Sequence, residues 1–292
     1  MQAPEISTLA TLKVSYQQPD AKSRLTTLLH QTGFAVLTDH FISESLIAAT
    51  YFEWQQFFNS EAKYLHIFDP AIQSGFFPFQ TEQAKGNDKP DLKEFFHLYR
   101  KSDLPANFSL NSWELFQQMQ SLAVELLNWI EAHTPRAIQQ NLSMPLSEMV
   151  TNSPASLMRI LHYPSIEFKS DPESESVPTG AIRAAAHEDI NLITLLPAAT
   201  ASGLEILDRG VWREVPFDRG DIVINVGDML QMASQGYFRS ATHRVVNPPG
   251  EAANQSRYSM PMFLHSRPEV VLAGKVTAGA YLQERLSEIG LL

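Results

Sequence analysis

The sequence predicts an α+β protein with a mainly β core: a helical first half, many short antiparallel strands, and one closing helix. Three observations predict it. Leucine-rich stripes at helical spacing recur before residue 150. After Ser156 the texture turns to short apolar-alternating segments, divided by turn signals such as Asp208-Arg209-Gly210, Arg219-Gly220-Asp221 and Gln235-Gly236. That pattern belongs to a sandwich or barrel. No internal repeat and no linker divides the 292 residues, so they read as one domain, with 1–150 as a helical N-terminal region and 151–292 as the β core and final helix.

The elements follow in order. Ala21 to Gln31 places Leu25, Leu28 and Leu29 on one helical face, with Gly33 as the stop. Phe34 to Thr38 reads as a strand. Ser43 reads as the N-cap of a helix carrying Leu46, Ile47, Trp54, Phe57 and Phe58 and ending near Ser60. Residues 69–90 are irregular and read as a loop with a small hydrophobic cluster. Asp91 to Tyr99 reads as a strand. Ser112 reads as the cap of a long helix with the stripe Leu115, Phe116, Met119, Leu122, Leu126, Leu127 and Ile130, which stops before Pro135. Pro135 to Leu142 suits a further short helix. Lys169 to Gly180 is acidic and Ser-rich with proline, the composition of an exposed loop. Thr277 starts the last helix, with Tyr281, Leu282, Leu286 and Ile289 inward and Gly290 as its end.

Composition excludes several functions. The formal charge is −10, which speaks against nucleic acid or an anionic membrane as a partner. With no cysteine there is no disulfide scaffold, iron–sulfur cluster, thiolate zinc site or cysteine nucleophile. No apolar run approaches the roughly 20 residues that span a membrane. Met1 to Gln17 lacks the pattern of a secretory leader, so a cytoplasmic location is the expectation.

The chemistry gathers between His187 and Ser259. On a strand, residues two apart share a face, so His187 and Asp189 project together, as do Arg257 and Ser259. With His243 as a third ligand, two imidazoles and a carboxylate make a facial set with open positions, the arrangement of non-haem Fe(II) oxygenases. The zinc-protease pattern fails, because Asn191 stands where a second histidine is needed. Arg257 sits among Tyr258, Met260, Met262 and Phe263 with no nearby acid, and a buried guanidinium requires an anion. A hairpin through Pro248-Pro249-Gly250 would set Arg257 and Ser259 beside His243.

Taken in order, these motifs resemble the isopenicillin N synthase-like branch of the Fe(II)/2-oxoglutarate-dependent oxygenases. The resemblance covers most of the chain. It runs through Gly33-Phe34-Ala35-Val36, Asp91 to Phe96, Leu161-His162-Tyr163-Pro164, Ala186-His187-Glu188-Asp189, Gly203 to Leu207, Val223 to Asp228, Arg239 to Val245 and Arg257-Tyr258-Ser259. It implies a double-stranded β-helix, or jelly roll, flanked by helices. It implies Fe(II) on His187, Asp189 and His243, and 2-oxoglutarate on Arg257 and Ser259 with Tyr163 nearby. It implies oxidation of a small molecule's C–H bond by O2, as hydroxylation or desaturation, with release of succinate and CO2. Two features depart from many plant relatives: Leu161 replaces an asparagine, and His243 to Arg257 is a longer spacing. The alternatives are a same-fold Fe(II) oxidase that does not consume 2-oxoglutarate and a non-catalytic jelly-roll binder. Substrate-facing candidates are Phe76, Phe77, Phe96, His97 and Tyr281, each of which also reads as core packing. Residues 169–180 and the last helix are expected to cover the barrel mouth. Oligomeric state is not legible.

Overall fold

A computed structural model describes residues 12–82, 90–165, 182–247 and 255–288. The expected loop at 169–180, the Pro-Pro-Gly segment and Gly290 lie outside the described residues. In chain order the first elements are β1 (Lys13–Ser15), α1 (Ala21–Thr32), β2 (Phe34–Thr38), α2 (Glu44–Phe58), β3 (Gly75–Phe77) and β4 (Glu94–Leu98). Three helices follow, α3 (Asn111–Ala132), α4 (Arg136–Gln139) and α5 (Leu146–Val150). The second half holds β5 (Leu157–Tyr163), β6 (Ile182–His187), β7 (Ile193–Pro197), β8 (Leu204–Asp208), β9 (Val211–Glu214) and β10 (Ile222–Val226). After α6 (Asp228–Ala233) come β11 (His243–Val246), β12 (Arg257–Ser259), β13 (Met262–Leu264), β14 (Val271–Ala273), β15 (Val276–Thr277) and α7 (Ala278–Glu288).

Two sheets make the core. A nine-stranded sheet runs β1-β2-β10-β7-β13-β5-β4-β3, with β12 also on β5, and a four-stranded sheet runs β6-β11-β8-β9. Alternation along β2 shows how the layers are set. Phe34 and Val36 join a buried cluster with Leu196 and Val223 of the large sheet and Ala184, Leu204, Ile206 and Val245 of the small one. Ala35 and Leu37 join a second cluster with Leu25, Trp54, Leu126 and Leu127 of the helices. The first cluster therefore lies between the sheets and the second between the large sheet and its helical cover.

The helical first half thus also supplies four strands of the large sheet, one of them from the segment expected to be a loop. Gly75 to Phe77 pairs with β4, which fixes it as a strand that the short apolar run could not announce. Gly33 ends α1 as expected. Its φ of 73° is open to glycine, its N–H reaches Leu29 O at 3.0 Å, and a Cβ would meet the Arg239 carbonyl at 2.8 Å. Ser112 is not a cap. It lies inside the first turn of α3, where its Oγ accepts from the buried Trp54 Nε1 at 2.9 Å. Leu110 holds the cap position instead. After β10, Gly227 takes the cap position and Asp228 opens α6. The expected hairpin between β11 and β12 is also replaced. β11 pairs with β6 and β8 in the small sheet, whereas β12 pairs with β5 in the large one.

Candidate metal and co-substrate site

Strand pairing brings the two histidines together. His187 ends β6, His243 opens β11, and the two are register partners with ring centroids 4.4 Å apart. Each ring is oriented by its own strand. His187 Nδ1 lies 2.7 Å from Ala185 O and His243 Nδ1 lies 3.0 Å from Ala241 O. A carbonyl only accepts, so both Nδ1 atoms carry a proton and each ring turns its Nε2 toward Asp189. Asp189 Oδ1 lies 3.9 Å from His187 Nε2 and 3.8 Å from His243 Nε2. The three ligand atoms fall within 4.8 Å of one another, close enough for one ion to bridge them.

Asp189 itself is held from behind. Its Oδ2 accepts from Thr194 Oγ1 at 2.6 Å and from Asn225 Nδ2 at 2.8 Å, leaving Oδ1 for a cation. Burial alone would raise the Asp189 pKa, but the two imidazoles and these two donors outweigh it and hold it lowered. Its main chain is pinned too, since Asp228 N donates to Asp189 O at 2.7 Å. Gly227 permits that approach, because a Cβ there would run into the Asn191 carbonyl. Desolvation by the protein walls, together with His243, lowers the His187 pKa to about 4. A carboxylate with two imidazoles and open positions is a donor set that fits a divalent iron ion.

A cavity of about 70 Å³ adjoins the three ligands and is also lined by Tyr163, Arg257 and Ser259. β12 lies on β5 with Arg257 opposite Tyr163 and Ser259 opposite Leu161. Arg257 is 1 % exposed. Its Nε donates to Ala201 O at 3.1 Å and its guanidinium stands 5.3 Å from the Tyr163 ring centroid. Neither Nη1 nor Nη2 has an ordinary hydrogen bond among the described residues. Two orphaned donors on a buried cation call for an anion, and their planar fork matches a carboxylate. The predicted ligand and carboxylate-binding residues therefore share one cavity.

A larger cavity of about 890 Å³ opens on the other side of His187 and Asp189. Of the substrate-facing candidates, Phe77 and His97 line it. Phe76 and Phe96 line neither cavity. They point to the opposite face of their strands, into the helical cluster with Trp54, Phe57 and Phe58. Tyr281 also faces away, donating to Asp228 Oδ2 at 2.8 Å, while the next turns of α7 reach the cavity through Leu282, Arg285 and Leu286. The sequence reading missed Glu82, Asp91, Lys93, Arg159 and His265, all on this wall. One signal was available for Arg159, which alternates with Leu161 and Tyr163 on β5.

Comparison with known proteins gives consistent results. Residues 154–266 match the 2OG-Fe(II) oxygenase superfamily model, and residues 6–117 match the model for the non-haem dioxygenase in morphine synthesis N-terminal region. A Shewanella oneidensis crystal structure described as an oxygenase is 45% identical, with a TM-score of 0.84, covering 96% of this chain and 98% of that one. A 2OG-Fe(II) oxygenase family protein from Caulobacter crescentus is 30% identical, with a TM-score of 0.74, covering 95% of this chain and 98% of that one. A protein of Petromyces alliaceus named proline hydroxylase buaE is 29% identical over 88% of this chain and 90% of its own length.

Proposed function

The chain belongs to the 2OG-Fe(II) oxygenase superfamily, and on that premise we propose that His187, Asp189 and His243 hold its Fe(II) and that Arg257, Ser259 and Tyr163 hold its 2-oxoglutarate. The protein is an Fe(II)- and 2-oxoglutarate-dependent dioxygenase acting on a small molecule, and we assign hydroxylation as its reaction, in keeping with the hydroxylase among its relatives. The observation that carries the residue assignment is the buried Arg257, whose two terminal nitrogens make no ordinary hydrogen bond among the described residues and which lines the cavity that His187, Asp189 and His243 share.

When bound, the iron supplies O2-dependent oxidation of a C–H bond coupled to decarboxylation of 2-oxoglutarate to succinate and CO2. The chain's own residues supply position. Ala185 and Ala241 carbonyls fix both imidazoles in one tautomer and aim Nε2 inward. Thr194 and Asn225 keep Asp189 ionised and present one oxygen only. Arg257 would take the distal carboxylate, with Tyr163 and Ser259 lining the same cavity. Phe34, Leu196, Leu204 and Val245 supply the apolar part of the small cavity's wall. The test is anaerobic titration of the apoprotein with Fe(II) and then 2-oxoglutarate. A metal-to-ligand charge-transfer band should form, and it should be lost in His187→Ala and His243→Ala. A full-strength band in both variants would refute the ligand assignment.

A further inference from the structure

The two antiparallel strands β5 and β12 act as a ruler along the site. Arg257 and Tyr163 are opposite each other, Ser259 and Leu161 form the next pair, and Arg159 N bonds to Pro261 O at 2.9 Å one step further. Tyr163 is four residue steps along the strand from Arg159, about 13 Å at roughly 3.3 Å per step. A five-carbon dicarboxylate spans only about 7 Å at ordinary bond lengths. By this measure a co-substrate anchored on Arg257 ends short of Arg159, which stands where the two cavities meet and lines both.

Arg159 is held rigid on all but one corner. Its Nε donates to His97 Nε2 at 2.9 Å, and Nη1 donates to both oxygens of Glu82 at 3.2 Å. Its plane lies 4.7 Å from the Phe95 ring centroid and 5.6 Å from that of Phe263. Nη2 has no hydrogen-bond partner among the described residues. The arrangement also settles His97. Arginine can only donate, so Nε2 of His97 is unprotonated and the ring is neutral with its proton on Nδ1.

The surrounding charge is already balanced. Lys93 bonds Glu82 at 2.6 Å and Asp91 at 2.8 Å, so two cations and two carboxylates close a cluster. At the rim Arg100 is paired with Asp103 and Arg285 with Glu288, while Glu188 has no cationic partner among the described residues. A carboxylate entering here would lose its water without gaining a free countercharge. A neutral acceptor would take a charge-assisted bond from Nη2 at far lower desolvation cost.

We infer that Arg159 is the substrate's anchor, and that the substrate is an uncharged carbonyl compound, of amide or lactam type, with an apolar body against Phe77 and Phe263. This rests on the metal and co-substrate assignment above. Nη2 would hold the carbonyl oxygen in the large cavity, whose wall also carries His187 and Asp189.

The test uses the anaerobic Fe(II)·2-oxoglutarate complex of the full chain. Benzamide, phenylacetamide and 2-naphthamide are titrated against benzoate, phenylacetate and 2-naphthoate, with the shift of the charge-transfer band as readout. At least one amide should bind about tenfold or more tightly than its matched acid. Arg159→Met should weaken that binding about tenfold, with Arg159→Lys between, while 2-oxoglutarate affinity stays within about twofold. Arg159→Lys keeps a cation opposite Glu82, so it carries the test if the methionine variant does not fold. Acids binding as tightly as amides, no amide binding up to its solubility limit, or both variants binding like the parent would overturn the inference. Failure of the band to form before any amide is added would instead overturn the site beneath it.

Discussion

Two residues beside the proposed metal ligands set affinities that can be measured separately. Asn225 touches no ion. It donates to the oxygen of Asp189 that faces away from the histidines. Removing it leaves that oxygen with Thr194 alone and frees the carboxylate to rotate. Asn225→Ala should weaken Fe(II) binding about 10- to 100-fold, the usual consequence of losing such a support. An unchanged Fe(II) dissociation constant would count against this role. Arg257 acts on the co-substrate instead. Arg257→Ala should raise the 2-oxoglutarate KM about 10- to 100-fold, equivalent to about 1.5–3 kcal/mol, with Fe(II) affinity unaffected. Arg257→Lys should recover only part of this, because an ammonium has no planar fork. Unchanged 2-oxoglutarate-dependent succinate release in Arg257→Ala would remove Arg257 from the site.

At the scale of elements, α7 is both wall and tether. Leu282 and Leu286 face the large cavity, and Tyr281 on the same helix bonds Asp228, whose N–H holds the Asp189 carbonyl. The wall of the large cavity and the metal loop are therefore joined through one side chain. A chain ending before Thr277 loses no metal ligand and should still form the anaerobic Fe(II)·2-oxoglutarate band. Its cavity is opened to water, so succinate release should rise relative to substrate oxidised. Equal coupling in the full and shortened chains would show that α7 is only packing. Tyr281→Phe, which keeps the helix but cuts the tether, separates the two roles by its effect on Fe(II) affinity.

For the whole molecule, buried ionisable groups make stability depend on pH. His265 is buried on β13's trailing end, and burial lowers its pKa from 6.5 to about 4. The folded chain keeps this ring neutral, whereas the unfolded chain takes up a proton once pH falls below about 6.5. Stability is therefore fully present above that value and is lost progressively down to pH 4. At pH 5 the loss from this one group is about 2 kcal/mol. Urea midpoints at pH 7.5 and 5 should show a smaller difference in His265→Gln than in the parent. Equal differences in the two proteins would mean that other groups carry the acid sensitivity. Glu82 works in the same direction. Burial opposes its ionisation, but Arg159 and Lys93 outweigh that and hold it well below the usual carboxylate range, so its contribution is lost only in stronger acid.

The sequence by itself determined the residues proposed as the reactive set. His187, Asp189 and His243 are rare donor types in a recognisable order, and Arg257 among apolar neighbours announces a buried cation in need of an anion. Helices with strong stripes were legible for the same local reason, since 3.6-residue periodicity needs no partner to be read. Tertiary structure decided what depends on partners far along the chain. Phe76 and Phe77, or Phe96 and His97, are indistinguishable as neighbours in a short apolar run. Pairing β3 and β4 beside β5 fixes which of each pair faces the cavity, because alternate residues go to opposite faces. Arg159 and Glu82 are 77 positions apart, and only the tertiary fold brings them together. β11 and β12 follow each other in sequence yet enter different sheets, so the metal ligands and the carboxylate grip meet across the space between the sheets rather than along a hairpin. Local side-chain chemistry thus specified which reaction is possible, and long-range strand pairing, which no local pattern encodes, specified the walls that choose its substrate.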